Sequence, residues 1–144
     1  MSLQLVNNST YRKTIPASTK NLSEVRNFVA HHATSHGFSR QQIADIRLAV
    51  DEAITNIIKH AYNGEENHTI EIEVTFKNDC VCIQLFYTAA SFSLNACPDR
   101  KIEEKNKKKK RGGMGVYLIH SLMDDVSYGR EDDSNKMVMC KYRS

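Results

Sequence analysis

The stretch "VDEAITNIIKHAY", residues 50–62, decides how the fold is interpreted, because it carries two opposite helix faces. Its apolar side chains continue a stripe that recurs at the spacing of one face of an α-helix. Glu52, Asn56 and Lys59 lie four and three residues apart on the opposite face. A polar row of this kind is most often a solvated surface, so its significance depends on the rest of the chain. The apolar stripe consists of Ile43, Ile46, Val50, Ala53, Ile54, Ile57 and Ala61.

Signals for helix starts and stops surround this stretch. Ser39 and Gln42 form a capping-box pattern at the start of the central helix, and the Asn-Gly pair at 63–64 predicts its end. An earlier helix is predicted in "STKNLSEVRNFVAHHATSHG", which ends at Gly37. A third helix is predicted after the glycines of "GGMGVYLIHSLMDDV". The sequence therefore predicts three amphipathic helices.

Strand patterns occupy most of the remaining chain. Apolar residues alternate with polar ones over 70–76 and 81–85, and Asn78-Asp79 forms a turn signal between them. "VSYGR" and "KMVMCKY" predict a closing pair of strands, and the stretch around Tyr11 predicts an edge strand. This element order favours an α/β (α+β) two-layer sandwich. Three helices would cover one face of a mixed, mostly antiparallel sheet.

Length and composition predict a single globular domain over residues 1–144. The chain is 40% hydrophobic and 26% charged, which excludes a mainly disordered protein. No apolar run approaches the roughly 18–20 residues that a membrane span needs. The first residues lack the apolar core of a secretory signal. The sequence therefore predicts a cytoplasmic location and no membrane partner.

The four cysteines form no CxxC pair, so the sequence predicts reduced thiols and no zinc site. Cys80 and Cys82 lie two residues apart in a predicted strand, which directs both side chains to one side of the sheet. His32 and His36 are four residues apart on a predicted helix, but the sequence offers them no third ligand.

Basic charge is concentrated in one segment, "RKIEEKNKKKKR", residues 100–111. It holds eight Lys or Arg and two Glu, whereas the whole chain has a net charge of only +3. This predicts a mobile cationic loop that meets an anion, with a plain solvated linker as the alternative. Direct nucleic-acid binding is not expected, because the run lacks interleaved aromatic residues for base stacking and the remaining surface is net acidic.

The glycines within 111–115 complement the polar row of the central helix. Glycines at a helix start let backbone N–H groups approach a phosphate closely, although a hinge between loop and helix would also use them. Asn56 offers Mg²⁺ a neutral oxygen, and Glu52 could accept a proton from a hydroxyl group or water. Lys59 could offset negative charge. The two stretches together predict a phosphate site.

Two of the quoted motifs resemble those of a known superfamily. "EAITNIIKHAY" resembles the N box of the histidine-kinase-like ATPases, which include gyrase, Hsp90, histidine kinases and MutL. "RGGMGVYLIHSLMDDVSY" resembles their second glycine box. The order, the size and the phrases "NIIKHAY" and "GVYLIHSLMDDVSY" are similar to one branch, the bacterial anti-sigma-factor serine/threonine kinases. The resemblance covers nearly the whole chain and implies a nucleotide held between the outward helix face and a flexible basic lid over about 94–112.

The resemblance also implies residue roles and partners. Glu52 matches the general base, and Asn56 matches the ligand of a Mg²⁺ held through the nucleotide phosphates. The implied ligand is ATP, and the implied protein partners are a sigma factor and an antagonist protein that carries the acceptor serine. A homodimer is also implied. The implied nucleotide-binding residues are Asn56, Lys59, Arg111, Gly113 and Gly115.

One motif departs from the family pattern. The first glycine box of the family reads roughly Asp-x-Gly-x-x-Phe-Asp, whereas this chain has "YTAASFS". Tyr87, Ala89 and Ser93 therefore replace an Asp that reads the adenine amino group, a Gly and a second Asp. Two hypotheses remain open: an ATP-dependent protein kinase, and a nucleotide-independent regulator with a degraded adenine pocket that acts on its partner by contact alone.

Overall fold

A computed structural model of the chain describes residues 8–62, 68–88, 110–131 and 134–143. A short 3₁₀ turn, Thr19–Asn21, precedes the first helix, and a π-helical turn, Ile57–Ala61, continues the second. The predicted order of strands and helices is confirmed. The elements are β1 (Asn8–Pro16), α1 (Leu22–Ser35), α2 (Arg40–Asn56), β2 (Thr69–Lys77), β3 (Cys80–Tyr87), α3 (Lys110–Leu122), β4 (Asp125–Glu131) and β5 (Ser134–Tyr142).

The strands form one five-stranded sheet in the order β1-β2-β3-β5-β4. All four pairings are antiparallel, and the register places Ile72 opposite Lys13 on one side and Leu85 on the other. The predicted two-layer sandwich of a mostly antiparallel sheet and three helices is confirmed.

The core lies between the helices and one face of the sheet. Alternate residues of the central strands point into it, as the period-two pattern predicts. Burial of each large aliphatic side chain contributes about 1.5–3 kcal/mol, so this layer holds the helices on the sheet. The fully buried residues include Val25, Val29, Ile46, Val50, Ala53, Ile54, Ile70, Ile72, Val74, Val81, Ile83, Leu85, Ile119 and Met139.

The start of α2 and the end of α1 follow the sequence signals. Ser39 Oγ accepts a hydrogen bond from the Gln42 backbone N–H at 3.1 Å, and Gln42 Oε1 accepts one from the Ser39 N–H at 2.9 Å. Gly37, just after α1, has a φ of 85°, a left-handed conformation that favours glycine. No helix within the described ranges is long and apolar enough to cross a membrane.

The end of α2 differs from the prediction of one α-helix up to residues 63–64. The α-helix ends at Asn56, and the Tyr62 N–H donates to the Ile57 carbonyl in a π-helical turn. Because Ile57 and Ala61 remain buried, the apolar stripe continues through the turn. Periodicity alone therefore could not detect it. Single π turns occur frequently at functional sites.

The prediction of reduced cysteines is wrong for one pair, because a disulfide joins Cys82 of β3 to Cys140 of β5. The two residues are direct partners in the sheet register. They are 58 residues apart in the sequence, and only the pairing of β3 with β5 brings them together. The sequence spacing therefore could not predict the disulfide. Cys80 is a free thiol, and Cys97 lies outside the described residues.

Candidate functional site

Gly115 of α3 lies directly against the polar row of α2. A β-carbon built on Gly115 would lie 2.8 Å from Glu52 Oε1 and 3.4 Å from Asn56 Nδ2. Real β-carbons do not approach other atoms as closely as 2.8 Å, so glycine permits this contact. Both Glu52 and Asn56 are half-buried. This part of the polar row is therefore one side of a close contact between two helices, and not a fully solvated surface.

An open cleft of about 690 Å³ begins at this contact. Its volume is typical of a small-molecule site, since ligand pockets measure roughly 300–1,000 Å³. The described residues that line it are Glu52, Gly115, Tyr117, Leu118 and Ser121. A carboxylate, a bare glycine backbone and apolar side chains thus meet in one concave surface.

The sequence-based reasoning did not identify three of these residues, Tyr117, Leu118 and Ser121. Leu118 and Ser121 follow Gly115 at intervals of three residues, which puts all three on one side of α3. That spacing could have identified them once Gly115 was assigned to the site. Tyr117 is 46% exposed and carries no comparable signal.

The adjacent carboxylates of Asp51 and Glu52 lie in different surroundings. Arg26 of α1 donates a 2.7 Å hydrogen bond to Asp51 Oδ2, which ties α1 to α2. Within the described part of the chain, no hydrogen bond or ion pair engages the side chains of Glu52 and Asn56. These two side chains therefore retain their hydrogen-bonding capacity for a ligand.

The remaining predicted site residues lie at the edges of this contact. Arg111 and Gly113 belong to the first turn of α3, where the first backbone N–H groups of a helix have no partner within the helix. Lys59 is exposed on the π-helical turn and is not among the described residues that line the cleft. Most of the predicted lid at 94–112 lies outside the described residues, and 110–112 open α3.

Tyr87 ends β3 at the position where the family pattern has the Asp that reads adenine. Two other tyrosines, Tyr62 and Tyr128, lie near it. Tyr87 is 1% exposed, and its hydroxyl group has no hydrogen-bond partner in the described structure. Burial raises the pKa of Tyr87, with smaller contributions from Tyr128 and Tyr62, so the group is neutral. Tyr62 instead donates to the Thr69 carbonyl and accepts from the Thr88 N–H, both at 2.9 Å. Ala89 and Ser93 lie outside the described residues.

The groups at the α2–α3 contact fit a magnesium nucleotide. Mg²⁺ prefers oxygen ligands and commonly binds through one or two protein groups together with phosphate oxygens. Asn56 supplies an amide oxygen, and the N-terminus of α3 offers N–H groups and the positive end of its dipole. The absence of a side chain at position 115 lets Glu52 and Asn56 lie close to the backbone of α3.

Known proteins share this sequence pattern. Residues 15–141 match the family described as the histidine kinase-like ATPase domain. The chain is 34% identical over 132 residues to the serine-protein kinase RsbW of Listeria innocua, which covers 89% of this chain and 83% of that protein. It is also 34% identical over 121 residues to the serine-protein kinase RsbW of Oceanobacillus iheyensis, covering 81% and 77% of the two chains.

Solved structures share the fold at lower sequence identity. A crystal structure of the RsbU and RsbW domains of a Mycobacterium tuberculosis protein matches with a TM-score of 0.64 and 15% identity, over 93% of this chain and 32% of that one. The SiaB–SiaC complex of Pseudomonas aeruginosa matches with a TM-score of 0.66 and 11% identity, over 96% and 92%. At these identities the matches establish the architecture alone.

Proposed function

Since the chain belongs to the histidine kinase-like ATPase domain family, we propose that it is an ATP-dependent protein kinase that phosphorylates serine in a partner protein. The observation that carries this proposal is the close contact of Gly115 with Glu52 and Asn56, beside an open cleft. Relatives of similar length and about one third identity are named serine-protein kinases, which supports the acceptor class.

The side chains at this contact have separate roles in the proposed reaction. Bound ATP supplies the phosphoryl group. As the serine oxygen attacks the γ-phosphorus, the bond between the γ-phosphoryl group and ADP would break and ADP would leave. Glu52 would accept the proton of the serine hydroxyl, because a carboxylate within reach of the acceptor can act as a general base. Asn56 would hold Mg²⁺ through its amide oxygen, and the first N–H groups of α3, near Arg111 and Gly113, would hold phosphate oxygens.

The basic charge before α3 suits the same ligand. Arg111 and the lysines ahead of it would attract the polyphosphate, and Lys59 would add positive charge at the end of α2. The proposed protein partners are an antagonist that presents the acceptor serine and a sigma factor that the chain holds as an anti-sigma factor. A homodimer and a cytoplasmic location stay predictions from the sequence.

The first experiment is a calorimetric titration with ATP, ADP and GTP in the presence of Mg²⁺. We expect saturable binding that favours adenine nucleotides. Asn56→Ala should weaken binding in Mg²⁺ and leave metal-free binding nearly unchanged, because only the metal contact is removed. An equal loss with and without Mg²⁺ would contradict the assignment of Asn56 as a metal ligand.

The second experiment separates binding from transfer. Glu52→Gln keeps the size of the side chain but removes the base, so we expect nucleotide binding near the wild-type level and loss of serine phosphorylation in the antagonist. Normal phosphorylation by this variant would show that Glu52 is not the base. Absence of nucleotide binding by the wild-type protein at millimolar concentration would instead favour the alternative, a regulator that acts by contact alone.

A further inference from the structure

Three cysteines meet on the face of the sheet that points away from the helices. Cys82 and Cys140 are direct partners across β3 and β5, and Cys80 precedes Cys82 by two residues on the same face. Their neighbours Val81 and Met139 point into the core, so the cysteines point the other way. All three side chains are half-buried. The chain thus gathers three sulfur atoms at one place outside the kinase site.

The distances between these sulfur atoms suit one tetrahedral metal ion. Cys80 Sγ lies 3.9 Å from Cys82 Sγ, and all three Sγ atoms lie within 4.8 Å of one another. A zinc–sulfur bond of about 2.3 Å implies a separation of about 3.8 Å between sulfur ligands in a tetrahedral site. When the disulfide is reduced, Cys82 and Cys140 no longer share a bond, and their sulfur atoms move apart toward that separation.

Charges around the cluster favour a cation. Asp125 lies directly opposite Cys140 on β4, and Asp124 precedes it. These negative charges stabilise a divalent ion, which would also neutralise the thiolates that bind it.

Two lysines lie near the cluster, but only one of them lies on the same face of the sheet as the cysteines. Lys141, next to Cys140 in sequence, points to the helix side, where its Nζ donates to the Leu122 carbonyl at 2.6 Å and pairs with Asp45 at 3.7 Å. Lys77 is the opposite partner of Cys80 in the sheet and is exposed. Among the described residues, Lys77 of β2 therefore lies on one side of the three sulfur atoms and Asp125 of β4 on the other, and the Arg143 guanidinium pairs with Asp79.

We propose that the reduced protein binds one Zn²⁺ ion through Cys80, Cys82 and Cys140, with the fourth position taken by water or by the Asp125 carboxylate. The disulfide form cannot bind the ion in this way, because two of the three ligands are then joined to each other. The expectation of no zinc site rested on spacing along the chain. That spacing could not include Cys140, which the sheet pairing brings to the other two cysteines.

Cobalt titration of the reduced protein tests this proposal independently of kinase activity. The protein is reduced with a phosphine under anaerobic conditions, and a thiol titration first verifies four free thiols. We expect one equivalent of Co²⁺ to give thiolate-to-cobalt charge-transfer absorption and the intense visible bands of tetrahedral Co²⁺. Zn²⁺ should displace the cobalt and remove both signals.

Two single variants provide the matched comparison. Cys80→Ser removes the ligand that is outside the disulfide, so the fold should be retained while the affinity for Co²⁺ falls roughly tenfold or more and the charge-transfer band weakens. Cys97→Ser removes the one cysteine outside the described residues, which is not among the three proposed ligands, and it should bind cobalt like the wild type. The unreduced protein should show no charge-transfer band.

Several results would overturn the proposal. One is the absence of a charge-transfer band in wild-type protein with four titratable thiols. Others are equal cobalt binding by Cys80→Ser and Cys97→Ser, or loss of the band in Cys97→Ser. Equal binding by the reduced and disulfide forms would also exclude Cys82 and Cys140 as ligands. Cys80→Ser and Cys97→Ser both retain Cys82 and Cys140. These comparisons therefore need no variant that has lost the ability to form the disulfide.

Discussion

Gly115 of α3 faces Glu52 of α2 so closely that one added methyl group would lie 2.8 Å from the Glu52 carboxylate oxygen. The sequence motif assigns Gly115 to phosphate binding, but the structure adds a second reason for a glycine there. The absence of a side chain lets the backbone of α3 approach the proposed base and metal ligand. Changes at position 115 should therefore act through the position of Glu52.

Gly115→Ala should lower phosphoryl transfer with little effect on stability. The nearest atom belongs to the flexible end of Glu52, so the carboxylate moves while α3 stays in place, and the better helix propensity of alanine offsets part of the cost. A displacement of about 1 Å at a catalytic group can lower a rate about 100-fold. Steady-state kinetics and urea denaturation measure the two effects.

Gly129→Ala is the control for this substitution. Its added methyl group would lie 3.6 Å from Lys136 Cε, an ordinary van der Waals distance, and Gly129 lies on β4 outside the cleft. This variant should keep wild-type transfer. If Gly115→Ala is as active as Gly129→Ala, the close contact does not control the position of Glu52.

The sequence predicted those parts of the site that lie within one helix. Helical spacing alone puts Glu52 and Asn56 on the same face, away from the buried Ile54 and Ile57. It could not predict the distance to Gly115, because that distance depends on how α2 and α3 pack. Leu118 and Ser121 lie on the same side of α3 as Gly115, so their place in the cleft could have been inferred from helical spacing.

The features that the sequence did not predict depend on contacts between distant segments. The disulfide between Cys82 and Cys140 requires β5 to insert between β3 and β4. Burial of the Tyr87 hydroxyl group depends on how β3 packs against other segments, and Tyr62 and Tyr128 lie near enough to add to its raised pKa. Neither property has a periodic pattern along the chain.

Tyr87→Phe should raise the free energy of unfolding by up to about 1 kcal/mol. The buried hydroxyl group has no hydrogen-bond partner in the described structure, and its removal avoids the cost of burying an unsatisfied polar group. Tyr62→Phe is the matched control, since its hydroxyl group makes two hydrogen bonds and its loss should destabilise the protein by about 1–3 kcal/mol. Chemical denaturation of both variants measures the difference. Equal destabilisation would mean that Tyr87 is hydrogen-bonded in solution.

Arg26→Met should destabilise the protein more than Arg12→Met does. Arg26 binds Asp51 at the α1–α2 contact, and loss of this partner leaves a largely buried carboxylate, so we expect a cost of about 1.5–3 kcal/mol. Arg12 binds Glu73 on the outer face of the sheet and is 64% exposed, which limits its contribution to about 0–1 kcal/mol. Urea denaturation of the two variants tests this order. Equal effects would show that the Arg26–Asp51 pair is no more important than a surface ion pair.

His32 lies in an aromatic cluster that disfavours its protonated form. Its ring stacks on Tyr11 with centroids 3.7 Å apart and meets Phe28 edge-on at 5.0 Å. Burial lowers the pKa of His32 below its ordinary value near 6.5, and His31 and His36 add to the shift when they are protonated. Folding therefore opposes protonation of this ring.

The free energy of unfolding should consequently decrease as the pH falls through the ordinary pKa of histidine, and His32→Gln should reduce that decrease. Between the lowered pKa of folded His32 and about 6.5, the unfolded chain binds more protons than the folded one, so acid favours unfolding. Urea denaturation at about pH 7.5 and about pH 5.5 measures the loss in each variant. His120→Gln is the control, because His120 is exposed on α3, away from the cluster, and this variant should keep the wild-type pH dependence. If His32→Gln also keeps it, protonation of His32 does not couple to folding.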